Sequence, residues 1–123
     1  MDLLKAALPE GFEILSGDDP LTIEFMKRGA VGLVSVASNI IPQTISDLVR
    51  HMNAGEVEKA QAIHDQHEEL MNTLMGIDVN PIPVKMATAL MSLTSEEIRL
   101  PLVSLPDDKT DTLRTCLLKY GLI

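Results

Sequence analysis

Residues 11–39 read GFEILSGDDPLTIEFMKRGAVGLVSVASN, and this stretch decides the fold. Residues 12–15 are apolar at three of four positions and end in the acidic loop Ser16-Gly17-Asp18-Asp19. A helix-like segment comes next, then a turn at Gly29, then a second apolar run over residues 32–36. That run ends in a second small polar loop, Ala37-Ser38-Asn39. The pattern is one strand–helix–strand unit of the α/β class, and both strands end in loops suited to holding a ligand.

The local signals agree with that plan. Short apolar runs of this kind belong to strands buried on both faces, as in parallel sheets. Asp19 before Pro20 is a helix-start signal, an acidic N-cap followed by proline at the first helical position. Leu21, Phe25 and Met26 form an apolar stripe, Lys27 and Arg28 sit in the last turn where cations favour the helix dipole, and Gly29 supplies the C-cap. A crossover of this length requires parallel strands and a right-handed connection.

Outward from this unit the chain is helical. Residues 2–8 place Leu3, Leu4, Ala7 and Leu8 on one face, and Pro9 and Gly11 stop that helix. Residues 42–53 space Ile45, Leu48, Val49 and Met52 as a helix that Gly55 ends. Residues 56–75 form the longest helix, with Val57, Ala60, Ile63, His67, Leu70, Leu74 and Met75 on one stripe. Asn80-Pro81-Ile82-Pro83 breaks the chain and starts a helix reaching about Leu93. Residues 96–105 are irregular between Pro101 and Pro106. Asp107 is expected to cap a last helix running to Tyr120, ended by Gly121.

Composition excludes several classes. The 123 residues carry a net charge of −8, which repels phosphate backbones, so nucleic acid is not an expected partner. No apolar run approaches the roughly 20 residues a membrane span needs, and no secretory leader is legible at the start. With Cys116 as the sole cysteine, the chain has no internal disulfide and no cysteine metal site. A cytoplasmic protein without a cofactor is the expectation.

Two strands alone pose a problem. A two-stranded parallel sheet leaves two open edges, and each buried backbone group without a partner costs about 1–3 kcal/mol. The strands are therefore expected to find neighbours, in a homo-oligomer or by pairing with a complementary segment.

Four motifs in register carry a resemblance: Leu15-Ser16-Gly17-Asp18-Asp19, then residues 32–39 (GLVSVASN), then Asn80-Pro81-Ile82-Pro83-Val84-Lys85, then Arg99-Leu100-Pro101-Leu102. In order and spacing, over the whole chain, they resemble the C-terminal part of the dihydrodipicolinate synthase family, within the pyruvate-dependent class I aldolases. The resemblance implies a (β/α)8 TIM barrel, of which this chain holds the last two parallel strands and a helical C-terminal extension. It divides the chain into residues 1–53, the closing part of the barrel, and residues 54–123, the extension. In that family pyruvate forms a Schiff base with a barrel lysine and condenses with aspartate semialdehyde, a step toward lysine and diaminopimelate. By motif position Gly17, Asp18 and the backbone of Val34 line the pyruvate pocket.

The departures are as informative. The Ile-Lys-Glu strand with the Schiff-base lysine is absent, as are the Gly-Thr-Thr-Gly-Glu loop and the proton-relaying tyrosine. A barrel of this type takes about 250 residues. The chain alone is therefore expected to be non-catalytic, a truncated form that binds pyruvate only when missing strands complete it. A non-catalytic half-barrel that associates with itself or a homologue is the alternative.

Other candidates have plainer readings beside the functional ones. Asp18 and Asp19 suit a cation or a turn and cap. Ser35, Ser38 and Asn39 suit a substrate hydroxyl or a strand-end turn. Lys85 near a helix start suits a reactive amine or an ordinary surface lysine. His64 and His67 are three apart on one helix, a spacing compatible with zinc, but a satisfied, partly buried histidine on the apolar stripe is the ordinary reading and no metal is expected. Cys116, among leucines, reads as core.

Overall fold

A computed structural model describes residues 2–123. The chain runs α1 (Asp2–Ala7), β1 (Leu15–Ser16), α2 (Thr22–Lys27), β2 (Gly32–Leu33), a 3-10 turn (Ala37–Asn39), α3 (Pro42–Asn53), α4 (Val57–Gly76), α5 (Ile82–Leu90) and α6 (Asp107–Lys119). The strands pair in parallel with Leu15 opposite Gly32 and Ser16 opposite Leu33. Backbone bonds from Val31 N to Ile14 O (2.9 Å) and from Val34 N to Ser16 O (2.8 Å) continue the pairing by one residue at each end. The paired strands are shorter than the sequence runs of residues 12–15 and 32–36. With one neighbour each among the described residues, they have no second ladder to keep the flanking residues extended.

Helix ends obey backbone chemistry more than side-chain caps. Three helices close with the same kind of bond, in which the residue after the glycine donates five residues back: Ala30 N to Phe25 O, Glu56 N to His51 O and Leu122 N to Leu117 O. Gly29 sits at φ +100°, where a side chain would be strained. The starts differ from expectation. The N-cap of α6 is Pro106, with no side-chain cap bond, and Asp107 lies inside the first turn, where its charge favours the dipole. α5 stops at Leu90, short of Leu93, because Ser92 turns to φ 60°.

Two apolar clusters hold the helices. The larger gathers Ala37, Ile40 and Ile41 around the 3-10 turn with Leu70, Met71 and Leu74 of α4, Ile82 and Met86 of α5, Leu105, and Leu113 and Leu117 of α6. The smaller joins Ile23 of α2, Leu48 of α3 and Ala60 of α4. α4 thus touches both, and about 30 Å of helix serves as the spine. Lys109 Nζ lies 2.6 Å from Asp78 Oδ2 and fastens the loop before α5 to α6. This hydrogen bond holds the Asp78 carboxyl below its ordinary value. Its contribution is therefore present above the ordinary carboxylate range and is lost as pH falls through the lowered value. Cys116 is buried in the large cluster, and burial pushes its thiol up.

The sheet has one covered and one bare face. Opposed residues of a parallel pair point the same way, so Leu15, Gly32 and Val34 share a face. A Cβ built on Gly32 would stand 3.1 Å from Leu15 Cδ2, which fits that placement. On this face Leu15 is 52% and Val34 65% exposed, while Ser16 on the opposite face is buried against the helices. The molecule exposes 7296 Å². A monomer of 13.4 kDa is expected to expose about 6,500 Å². No described helix is long and apolar enough to cross a membrane.

The contrast between spine and bare face gives a stability test. Leu74→Ala removes a fully buried side chain from α4 and is expected to cost about 2–5 kcal/mol. Val34→Ala is expected to change stability by less than about 0.5 kcal/mol. Urea denaturation of the two variants checks both values.

Candidate functional site at the strand ends

The loops after β1 and β2 lie side by side because their strands are paired. Ser16, buried at the end of β1, receives the Asp18 amide on Oγ at 3.2 Å and donates to the Asp18 carbonyl at 3.0 Å. This closes a tight turn around Gly17. A Cβ added at Gly17 would meet nothing within 4 Å, so this backbone faces open space. Gly17 also lies two residues beyond Leu15, which puts it toward the bare face of the sheet.

The two aspartates divide their work differently from the sequence expectation. Asp18 does the local job: its Oδ1 accepts the Leu21 amide at 3.1 Å, ahead of α2. Asp19 does not cap α2, whose N-cap Leu21 has no side-chain cap bond. The Asp19 side chain, 1% exposed, crosses instead to the end of β2. There Ser35 Oγ donates to Oδ1, the Val36 amide donates to Oδ2 at 2.8 Å and the Ala37 amide donates to Oδ2 at 3.3 Å. A carboxylate thus sits at the start of the 3-10 turn, where its amides are free to donate. Ser35 Oγ in turn accepts the Ser38 amide at 2.8 Å, and Ser38 Oγ donates to the Ser35 carbonyl at 3.1 Å.

A second tie holds the first loop from behind. His64 on α4 is buried, and its Nε2 lies 2.8 Å from the Pro20 carbonyl. A carbonyl accepts only, so Nε2 carries the proton. Nδ1 is buried without a hydrogen-bond partner among the described residues, with Asp65 Oδ1 at 3.6 Å. His67, placed on the apolar stripe by spacing, is half-buried. Its Nδ1 lies 2.8 Å from the Ile63 carbonyl, and its ring stacks on Tyr120 at 5.6 Å between centroids. The two histidines serve different partners and do not converge.

Of the pocket-wall residues expected from sequence, Gly17 and Val34 fall on the same bare face, with Asp18 beside them in the turn. Ser35 and Ser38 are engaged in holding the strand end, and Asn39 Nδ2 donates to the Val36 carbonyl at 2.9 Å. The six lysines all lie on helices, and Tyr120 is at the end of α6, so no amine or phenol reaches the strand ends from a strand. Among the described residues the strand ends present backbone, serine hydroxyls and the Asp18 carboxylate. Residues that sequence reasoning missed are Asp19 as a bridge and His64 as an anchor. The small polar run Ser35-Val36-Ala37-Ser38 at the end of the neighbouring strand was the available signal for the first.

Asp19→Ala leaves two backbone amides and the Ser35 hydroxyl without their acceptor, and it is expected to lower stability by about 1–3 kcal/mol. Asp19→Asn keeps one oxygen for the amides and is expected to cost less. Urea titration of the two variants against the parent gives the order.

Comparison with known proteins places these features. Residues 1–119 match the model of the Dihydrodipicolinate synthetase family. The chain is 41% identical over 114 residues to the 4-hydroxy-tetrahydrodipicolinate synthase of Syntrophus aciditrophicus, covering 93% of this chain and 39% of that protein. It is 38% identical over 123 residues to the protein of the same name from Chlorobium phaeobacteroides, covering 100% of this chain and 41% of that one. Among solved structures, dihydrodipicolinate synthase from Aquifex aeolicus superposes with a TM-score of 0.92 at 39% identity, over 98% of this chain and 41% of that one. The 4-hydroxy-tetrahydrodipicolinate synthase from Methylacidiphilum fumariolicum SolV gives 0.90 at 46% identity, over 96% and 39%. The chain therefore spans about two fifths of the length of the relatives it matches.

Proposed function

Because the chain belongs to the dihydrodipicolinate synthetase family, we propose that it supplies the last two strands of a (β/α)8 barrel and the helical extension beyond them. Residues 1–53 form the barrel part and residues 54–123 the extension. On this reading the bare face of the sheet is the barrel interior, and Gly17, Asp18 and the Val34 backbone form one wall of a pyruvate pocket. The whole barrel condenses pyruvate with aspartate semialdehyde. This chain gives the pocket its shape and leaves the covalent chemistry to a lysine on a strand it does not hold.

The bare face carries the argument. Leu15 and Val34 are more than half exposed on a sheet that ends after two strands among the described residues. Apolar side chains beside open parallel edges are ordinarily covered by further strands. A Schiff-base lysine needs a desolvated setting that lowers its pKa. The lysines here are on helices, and Lys27, Lys59, Lys109 and Lys119 are engaged by polar side chains.

The exposed face also favours association, with a second copy or with a complementary barrel segment. The second is the preferred reading, since only other strands continue a parallel ladder in register. Incubation with pyruvate and borohydride, followed by intact mass measurement, tests the account. The chain alone is expected to show no mass increase. Co-expressed with the N-terminal part of a family synthase, it is expected to copurify with that part, and the pyruvyl adduct is expected on the partner. An adduct on the chain alone, or no association with the N-terminal part, would overturn the proposal.

A further inference from the structure

A groove of about 350 Å³ lies between the 3-10 turn, the first turns of α5 and the irregular segment after it. That is about ten water-sized volumes. Pro81, Val84 and Ile98 line it with apolar surface, and Asn39, Lys85, Thr88 and Thr94 are its polar lining. Asn39 is shared with the loop after β2, and the other lining residues lie outside the strand-end site described above. The groove does not use Gly17, Asp18 or Val34, so its test is separate from that of the proposed synthase reading.

Its charge is unusual for this molecule. The chain has 18 acidic and 10 basic side chains, yet Lys85 is the one charged group in the lining. Two larger grooves on α4 are lined by Glu68 and Glu69. Lys59, Lys109 and Lys119 each hold a carboxylate, on Glu56, Asp78 and Glu69. Among the described residues Lys85 has no such partner. Glu97 and Arg99 flank Ile98 with opposite charges, and among the described residues Lys85 is the ionised side chain that lines the groove itself.

The donors are asymmetric. Asn39 uses one amide hydrogen on the Val36 carbonyl and keeps the other. The Thr88 hydroxyl donates to the Lys85 carbonyl at 2.9 Å, and so the Thr94 hydroxyl, 2.8 Å away, donates to Thr88. Both hydroxyl hydrogens are thereby used, and the threonine end offers lone pairs only. Lys85 and Asn39 keep donors for an anionic head, the threonines offer it none, and Pro81, Val84 and Ile98 supply apolar surface for an aliphatic body.

We propose that this groove binds a short aliphatic carboxylate, its head on the Lys85 ammonium and its chain along the apolar side. The test is an amide NMR titration of the full chain with sodium butyrate, with butylammonium chloride and 1-butanol as matched probes. Butyrate is expected to move the Asn39 side-chain and Val84, Lys85 and Thr94 amide signals to saturation, and the other two probes are not. Lys85→Gln is expected to weaken butyrate binding at least tenfold, and Lys85→Arg to retain most of it. Equal responses to butyrate and butylammonium, no saturable movement, or undiminished binding in a folded Lys85→Gln chain would each overturn the proposal.

Discussion

The Asp19 carboxylate reaches from the end of one strand to the end of the other, and the two halves of this molecule are joined through it. Its oxygens take the Ser35 hydroxyl and the Val36 and Ala37 amides. Those amides begin the 3-10 turn, and the turn carries Ala37, Ile40 and Ile41 into the large apolar cluster. The strand–helix–strand unit is thus tied to the helical core by a buried carboxylate as well as by apolar contact. A buried polar group has to be satisfied or it destabilises, and here the carboxylate and the turn's free amides satisfy each other.

The helices supply the rest of the stability. α4 spans both clusters, and Leu70 and Leu74 are wholly buried against α5 and α6. The sheet adds little burial, since its outer face is open. The small residues at the strand ends are held by Asp19 in front and by His64 through Pro20 behind, on a base that does not depend on the sheet being complete. Gly17 faces open space, and the Val34 amide is held by the Ser16 carbonyl beside it.

Much of the fold was legible because it is written locally. α3 runs over residues 42–53, as the spacing of Ile45, Leu48, Val49 and Met52 indicates, because an amphipathic face and a proline start both act within a few residues. Gly29, Gly55 and Gly121 end helices as expected, since a positive φ is a property of the residue itself. The parallel pairing was equally legible from the crossover. Strand length was not, because it depends on neighbours. The Asp19-Pro20 pair reads as a cap by local rules, yet the carboxylate found stronger partners sixteen residues away, and Asp18 took the local role. On α4 the stripe was read with His67 and Met75 inside. The structure buries His64, under the turn before α2, and Met71, in the cluster with the 3-10 turn, α5 and α6. The motifs that carry the family resemblance were local too.

The account stands on the bridge between the strand ends, and amide hydrogen exchange reads it directly. With the Asp19 carboxylate in place, the Val36 and Ala37 amides are expected to exchange as slowly as the Leu70 and Leu74 amides of α4, through the same cooperative opening. Exchange of Val36 and Ala37 at the rate of an unstructured peptide, while the α4 amides stay protected, would contradict it.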